Sequence, residues 1–145
     1  MDPEYEKCLK KNSIKSFPQG KRLIPKEIDS AENDLISARE SFKNKNHKWA
    51  TIQAYYSMFH GARALLYSQG LREKSHYCLA VAVRALFVDT NKLEKSLCDD
   101  FFTAMALREN ADYESTFSED GAQKLINSAT VFLRKTKEIL SYRRK

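Results

Sequence analysis

Apolar residues recur along most of this chain every three or four positions, which is the period of an α-helix. In the second such stretch, for example, Ile28, Ala31, Leu35 and Ala38 share one face. The stretches with this period are residues 3–11, 26–44, 47–70, 76–88 and 91–113, followed by a final helix that begins after Thr116. Because four of these helices are long, the pattern predicts an all-α fold, an up-and-down four-helix bundle with one or two extra short helices.

The stretch from His47 to Gly70 is apolar around most of its circumference, which is typical of a buried helix with neighbours on several sides. One line along it consists of small residues, which allow another helix to approach closely. These are Ala50, Ala54, Ser57, Gly61, Ala64 and Ser68. One line remains polar, formed by Gln53, His60, Arg63 and Tyr67. The spacing leaves open whether this line is solvated or functional.

Segments without the helical period separate the helices. Pro18, Gly20 and Pro25 interrupt residues 11–25, which we expect to form a loop, and residues 71–75 (LREKS) predict a turn. The predicted N-caps are Asn46, Ser75 and Thr116, the last followed three residues later by Glu119 as in a capping box. Since no repeat or internal boundary is visible, the 145 residues predict a single domain over 1–145, with residues 1–25 as a basic leader.

The net charge of +6 is concentrated at the two ends of the chain. Residues 1–26 carry +4 and residues 134–145 carry +5, which leaves −3 between them. Such basic ends are commonly solvated, and a basic C-terminus also complements a helix dipole. If the ends converge in space, they can instead contact phosphate. Both interpretations stay open at the level of sequence.

Several classes of protein and site are disfavoured by the composition. The chain has no apolar run of about 18 residues and begins with the charged segment MDPEYEKCLKK, so we expect neither a membrane segment nor a signal peptide. Cys8, Cys78 and Cys98 are odd in number and far apart, which argues for a reducing cytoplasm and against a disulfide framework or a zinc site. The histidines lack metal-ligand spacing, so we expect no metal and no cofactor.

The segment LRENADY, residues 107–113, is the first candidate site. Arg108 and Asp112 are four residues apart and would share a helix face, with Tyr113 beside them. An acid in the last turn opposes the helix dipole, so Asp112 is not explained by helix stability alone. The pair could tie the end of the bundle together. Alternatively, Arg108 holds a phosphate and Asp112 orients it or a proton donor.

The second candidate site is formed by Lys74, Ser75 and His76, at the start of the helix after the turn. Exposed backbone amides at that position, together with a lysine and a histidine, can bind an anion. A capping serine with a half-buried histidine is an equally good interpretation of the same residues.

The segment AYYSMFHGARALLYSQGLREKSHYCL resembles the signature of the small, stand-alone prokaryotic proteins of the HEPN (higher eukaryotes and prokaryotes nucleotide-binding) superfamily. The later LRENADY fits the same group, and the resemblance covers about residues 25–140. It implies an up-and-down helical bundle, a homodimer, and a site near the dimer seam. It also implies one of two roles, since relatives include ribonuclease toxins and partners of minimal nucleotidyltransferases, often paired as toxin and antitoxin.

The ribonuclease members of that superfamily carry an Arg followed after four to six residues by a His. No histidine follows Arg108, and no Arg and His in this chain have that spacing. Asp112 is a poor substitute, because an unperturbed Asp titrates near ~4. His76 could still approach Arg108 from a neighbouring helix or subunit. In some members a Tyr near the Arg is modified by the nucleotidyltransferase, and Tyr113 is the candidate here.

The leading hypothesis is a cytoplasmic HEPN-like module that binds nucleotide or RNA phosphate and is the partner of a nucleotidyltransferase. Its ligand-binding residues would be Lys74, Ser75, His76, Arg108 and Tyr113, with His60 and Arg63 as secondary candidates. A metal-independent ribonuclease built from Arg108, Asp112 and His76 is the first alternative. A non-catalytic helical adaptor is the second.

Overall fold

The computed structural model describes residues 2–109 and 117–143. The helices in that part are α1 (Pro3–Lys10), α2 (Ile24–Lys43), α3 (His47–Ser68), α4 (His76–Val83), α5 (Lys95–Glu109) and α6 (Glu119–Leu140). A 3₁₀ segment, Pro18–Leu23, precedes α2, and a π-helical segment, Arg84–Val88, continues α4. Two short strands, β1 (Ile14–Ser16) and β2 (Leu71–Glu73), complete the elements. The predicted all-α fold is confirmed.

The helix starts follow from local capping. Asn46 accepts a hydrogen bond from the Trp49 backbone N–H (3.3 Å) at the start of α3, and Ser75 accepts one from Cys78 (3.1 Å) at the start of α4, as predicted. At α6 the observed N-cap is Ser118. It lies two residues after the predicted cap Thr116, which falls outside the described residues. Gly70 follows the end of α3 with a φ of +71°, a conformation that favours glycine.

α3 is the central helix and is buried on several sides, as its apolar circumference predicted. Its line of small residues allows both α2 and α6 to approach closely. The Ser57 hydroxyl donates to the Ala31 carbonyl of α2 (2.8 Å), and a Cβ added at Gly61 would lie 3.3 Å from the Phe132 ring of α6. A larger side chain at either position would therefore push a neighbouring helix away.

The two segments expected to be a loop and a turn pair instead as a short antiparallel ribbon. Ile14 lies opposite Glu73, Lys15 opposite Arg72, and Ser16 opposite Leu71. Ile14 is buried, whereas Lys15 and Ser16 are exposed. The expectation of irregular structure was wrong because three-residue strands are too short to give a periodic signal.

Helix α5 begins later than predicted, at Lys95 rather than near residue 91. Residues 89–94 form a turn that folds back on the π-helical segment. The backbone N–H groups of Lys92 and Leu93 both donate to the Phe87 carbonyl, at 2.8 and 2.9 Å. No helix among the described residues is long and apolar enough to cross a membrane.

The expectation that the cysteines form no disulfide is wrong. Cys8 of α1 and Cys78 of α4 are bonded, with Cα atoms 5.9 Å apart, and Cys98 is free and buried. Sequence gave no indication of this pair because the partners are separated by 70 residues and meet only when α1 packs on α4. The cysteine-based argument for a reducing compartment therefore loses its premise.

Replacing Cys8 with serine should lower the free energy of unfolding by about 2–4 kcal/mol in protein purified under oxidising conditions, because the bond closes a long loop in the unfolded chain. Thermal unfolding with and without dithiothreitol measures the effect. The reductant should destabilise the wild type and leave Cys8→Ser unchanged. Alkylation of three thiols in the unreduced, denatured wild type would disprove the pairing.

Candidate functional site

His76 lies at the first position of α4 and packs against one face of α3. Its ring stacks on Phe59 with centroids 4.5 Å apart and lies parallel to Tyr55 at 5.9 Å. The Tyr55 hydroxyl and His76 Nδ1 are hydrogen-bonded. The Ser75 hydroxyl caps α4 and fixes the backbone at this point. The imidazole is therefore held by Phe59, by Tyr55 and by its own backbone.

The hydrogen bond to Tyr55 decides which nitrogen of His76 carries the proton. Burial raises the pKa of Tyr55, so its hydroxyl stays protonated at neutral pH. The buried hydroxyl proton needs an acceptor, and among the described residues Nδ1 is the one partner of this hydroxyl, so we assign the hydroxyl as the donor. Burial and the charge of Arg108 lower the pKa of His76, which leaves a neutral ring. We conclude that Nε2 bears the proton and is a donor.

Arg108, on the last turn of α5, is near enough to His76 for its charge to act on the imidazole. Its guanidinium carbon is 5.7 Å from the centre of the Tyr56 ring. That ring meets His76 edge-on with centroids 6.5 Å apart. Since Arg108 also depresses the pKa of His76, the two side chains share one electrostatic environment. Asp112 and Tyr113, the other two candidates in this segment, lie outside the described residues.

Lys74 and Ser75 line one cavity of about 560 Å³ together with His76. Ser75 uses its hydroxyl to cap α4, whereas the exposed side chain of Lys74 is at the cavity wall. Phe59 forms part of the floor. Two cations from the ribbon, Lys15 and Arg72, also line this cavity.

The secondary candidates, His60 and Arg63, are engaged with carboxylates. Nδ1 of His60 is 3.2 Å from Glu27 and Nε2 is 3.5 Å from Asp34. Arg63 places Nε 3.0 Å from Glu73 and Nη1 3.5 Å from Glu27. Arg63 and Glu73 also line the cavity that is formed with His76. These pairs join α3 to α2 and β2, so the polar line of α3 is used to hold its neighbours.

Sequence reasoning missed two groups of residues at this site. The aromatic rings that surround His76 are those of Tyr55, Tyr56 and Phe59, and their spacing, which is that of a core helix, predicts only packing. Lys15 and Arg72 were overlooked because the ribbon was not predicted. No alternation of apolar and polar residues marks β1, because Ser13, Lys15 and Ser16 are all polar around Ile14.

The arrangement is suited to binding an anion. It offers ammonium and guanidinium groups together with a neutral imidazole whose free N–H points away from its Tyr55 partner. It is less suited to removing a proton, because the Nδ1 lone pair of His76 already accepts from Tyr55.

A family model described as HEPN domain matches residues 26–140. A Methanocaldococcus jannaschii protein named "Putative toxin MJ0142" is 30% identical over 122 residues, which cover 83% of this chain and 83% of that protein. A second protein of that organism, "Putative toxin MJ0605", is 32% identical over 114 residues, 78% of this chain and 85% of its own. A "UPF0332 protein" of Archaeoglobus fulgidus is 29% identical over 119 residues, 81% of this chain and 94% of its own.

Replacing Arg108 with glutamine should raise the pKa of His76, because a positive charge that opposes protonation is removed. An NMR titration of the three histidine rings measures the change. In the folded wild type the pKa of His76 should lie below about 6.5, which is the value expected for a histidine in the unfolded chain. As the pH falls, the unfolded chain therefore binds a proton at this histidine before the folded chain does. Stability should therefore fall as the pH drops below that value.

The matched control is Lys124→Gln, which removes one positive charge from an exposed position on α6. It should leave the His76 titration unchanged. An unaltered His76 pKa in Arg108→Gln would show that the two side chains do not interact.

Proposed function

The chain belongs to the HEPN domain family, and from this premise we propose that it is a module that binds nucleotide or RNA phosphate and works with a minimal nucleotidyltransferase in a toxin–antitoxin-type pair. The family assignment made from the residues of α3 and the KSH segment is thereby confirmed. The names of the two Methanocaldococcus jannaschii relatives support the toxin–antitoxin part of the proposal. As the family resemblance implies, we further propose a homodimer.

The observation that carries the binding proposal is the state of His76. Its Nε2–H is a donor, its ring is neutral, and Arg108 and Lys74 supply positive charge near it. A phosphate oxygen can accept from Nε2 while the cations balance its charge, and none of these groups has to lose a proton for this. Binding therefore requires no rearrangement of the hydrogen bond between Tyr55 and His76.

Ribonuclease activity is the second candidate. It is favoured because the Arg108 guanidinium and the His76 ring both lie next to the ring of Tyr56. In such a reaction the histidine would take the proton of the ribose 2′-hydroxyl, and Arg108 would stabilise the phosphate. His76 could do so only after exchanging its tautomer, because Nε2 is protonated and Nδ1 is occupied. For this reason the binding function is preferred.

Replacing Arg108 with glutamine should weaken the binding of a short fluorescent single-stranded RNA by about tenfold to a hundredfold, because a charge-assisted contact with phosphate is lost. Fluorescence anisotropy in EDTA measures the dissociation constant. The matched control, Lys124→Gln, removes the same charge from a position outside the cavity and should bind as the wild type does.

The same samples, run on a denaturing gel, test the alternatives. Cleavage by the wild type in EDTA, lost in Arg108→Gln and in His76→Asn, would favour the ribonuclease over the binding module. If the wild type neither binds nor cleaves the RNA, the phosphate-binding proposal is wrong and a helical adaptor is the better description.

Tyr113 is proposed as the residue that a partner nucleotidyltransferase modifies. When the chain is coexpressed with the protein encoded beside it, intact-mass spectrometry should show the added mass of a nucleotidyl group. The adduct should be absent from Tyr113→Phe and present in the control Tyr77→Phe, which removes the hydroxyl of an exposed tyrosine. An unmodified wild-type chain would contradict the assignment of Tyr113.

A further inference from the structure

The ribbon brings three positive side chains from two distant parts of the chain to one wall of the cavity. Lys15 of β1 lies directly opposite Arg72 of β2. Lys74 follows β2, and its backbone N–H donates to the Ser13 carbonyl before β1 (2.9 Å). All three side chains are exposed and line the cavity beside His76. We call Lys15, Arg72 and Lys74 the ribbon cluster.

The ribbon cluster is unfavourable for folding by itself. Like charges directly opposite each other on paired strands repel. The ammonium group of Lys74 lowers the pKa of Lys15, and Arg72 adds to the effect. The Arg72 guanidinium is held over the Phe17 ring at 5.0 Å, so it cannot swing away from Lys15 without losing that contact. The fold therefore keeps three cations close together at some cost in stability.

No carboxylate in the described ranges, 2–109 and 117–143, forms an ion pair with a member of the ribbon cluster. Some of the other basic residues there have such a partner, namely Arg63, Arg84, Lys95, Lys135 and Lys137. The adjacent carboxylate, that of Glu73, also lines the cavity, but it is buried and its ion pair is with Arg63. The positive charge of the cluster is thus left for an external anion.

Arg108 does not line the cavity and approaches His76 by way of Tyr56. His76 is therefore flanked by two separate positive positions, Arg108 and the ribbon cluster. Neighbouring phosphates of a polynucleotide can occupy the two positions at once.

We propose that the ribbon cluster is a second phosphate subsite, and that the ligand is a single-stranded RNA whose backbone passes from Arg108 across His76 to Lys15, Arg72 and Lys74. This inference rests on the proposed function and adds the ligand class, an oligonucleotide rather than a mononucleotide.

The decisive variant is Lys15→Glu, because its effects on stability and on binding should have opposite signs. The new carboxylate faces Arg72 and replaces a repulsive cross-strand pair with an attractive one, so the melting temperature of the free protein should rise. Its affinity for an eight-nucleotide single-stranded RNA should fall at least tenfold. The slope of log Kd against log salt should decrease by about 0.7 or more, the value for one phosphate contact on a single strand.

Lys124→Glu makes the same change of charge on α6, outside the cavity, and should bind the RNA within about twofold of the wild type. Lys15→Gln removes the charge without adding an acid, and its loss of affinity should be intermediate. Competition with adenosine monophosphate tests the ligand class, since a mononucleotide occupies one subsite and should displace the RNA only at far higher concentration than an unlabelled octanucleotide.

Two results would overturn the second subsite without affecting the proposed function. One is wild-type RNA affinity in Lys15→Glu while Arg108→Gln is weakened. The other is equal competition by the mononucleotide and the octanucleotide. A Lys15→Glu protein that loses both stability and binding would also overturn it, because a structural role would then explain the loss. If no RNA binds to the wild type, it is the proposed function that fails.

Discussion

The arrangement of the site depends on one guanidinium group. Arg63 is the cation between two buried carboxylates, those of Glu27 on α2 and Glu73 on β2. Burial raises the pKa of Glu73, and the charge of Arg63 opposes that shift. A buried carboxylate without a cation would be costly, so the ribbon can dock on α3 only where it meets this side chain. Through Glu73, Arg63 fixes the position of β2 and hence of the cavity wall.

The docking of β2 on α3 also makes β1 part of the site, because the two strands are paired. The leader is held at its start as well, since Arg84 donates to Asp2 and to Glu4, each at 2.9 Å, and the Cys8–Cys78 bond ties α1 to α4. The leader therefore packs against the bundle. Its charge reaches the cavity through Lys15, because β1 pairs with the strand that leads to His76.

The aromatic face of α3 has a structural and a chemical role at once. Tyr55 is fully buried and stacks on Phe101 of α5, as a core residue does. The same side chain donates its hydroxyl proton to His76 and so selects the tautomer with Nε2–H. Packing and chemistry are coupled here, because the rings that fill the core between α3 and α5 also set the charge state of the histidine and the position of Arg108 beside it.

The sequence by itself determined the helical bundle, the buried central helix, the N-caps of α3 and α4, and the family. These features depend on local spacing and on a long, specific string of residues. The sequence also identified His76, Lys74 and Arg108 as side chains with the chemistry to bind an anion. Only the tertiary structure decided which of them meet. The disulfide, the ribbon and the Tyr55–His76 bond each join residues far apart in the chain, and no periodic pattern records such contacts. Arg63 is a further example, because its position on the polar line of α3 did not show that it would pair with two buried carboxylates.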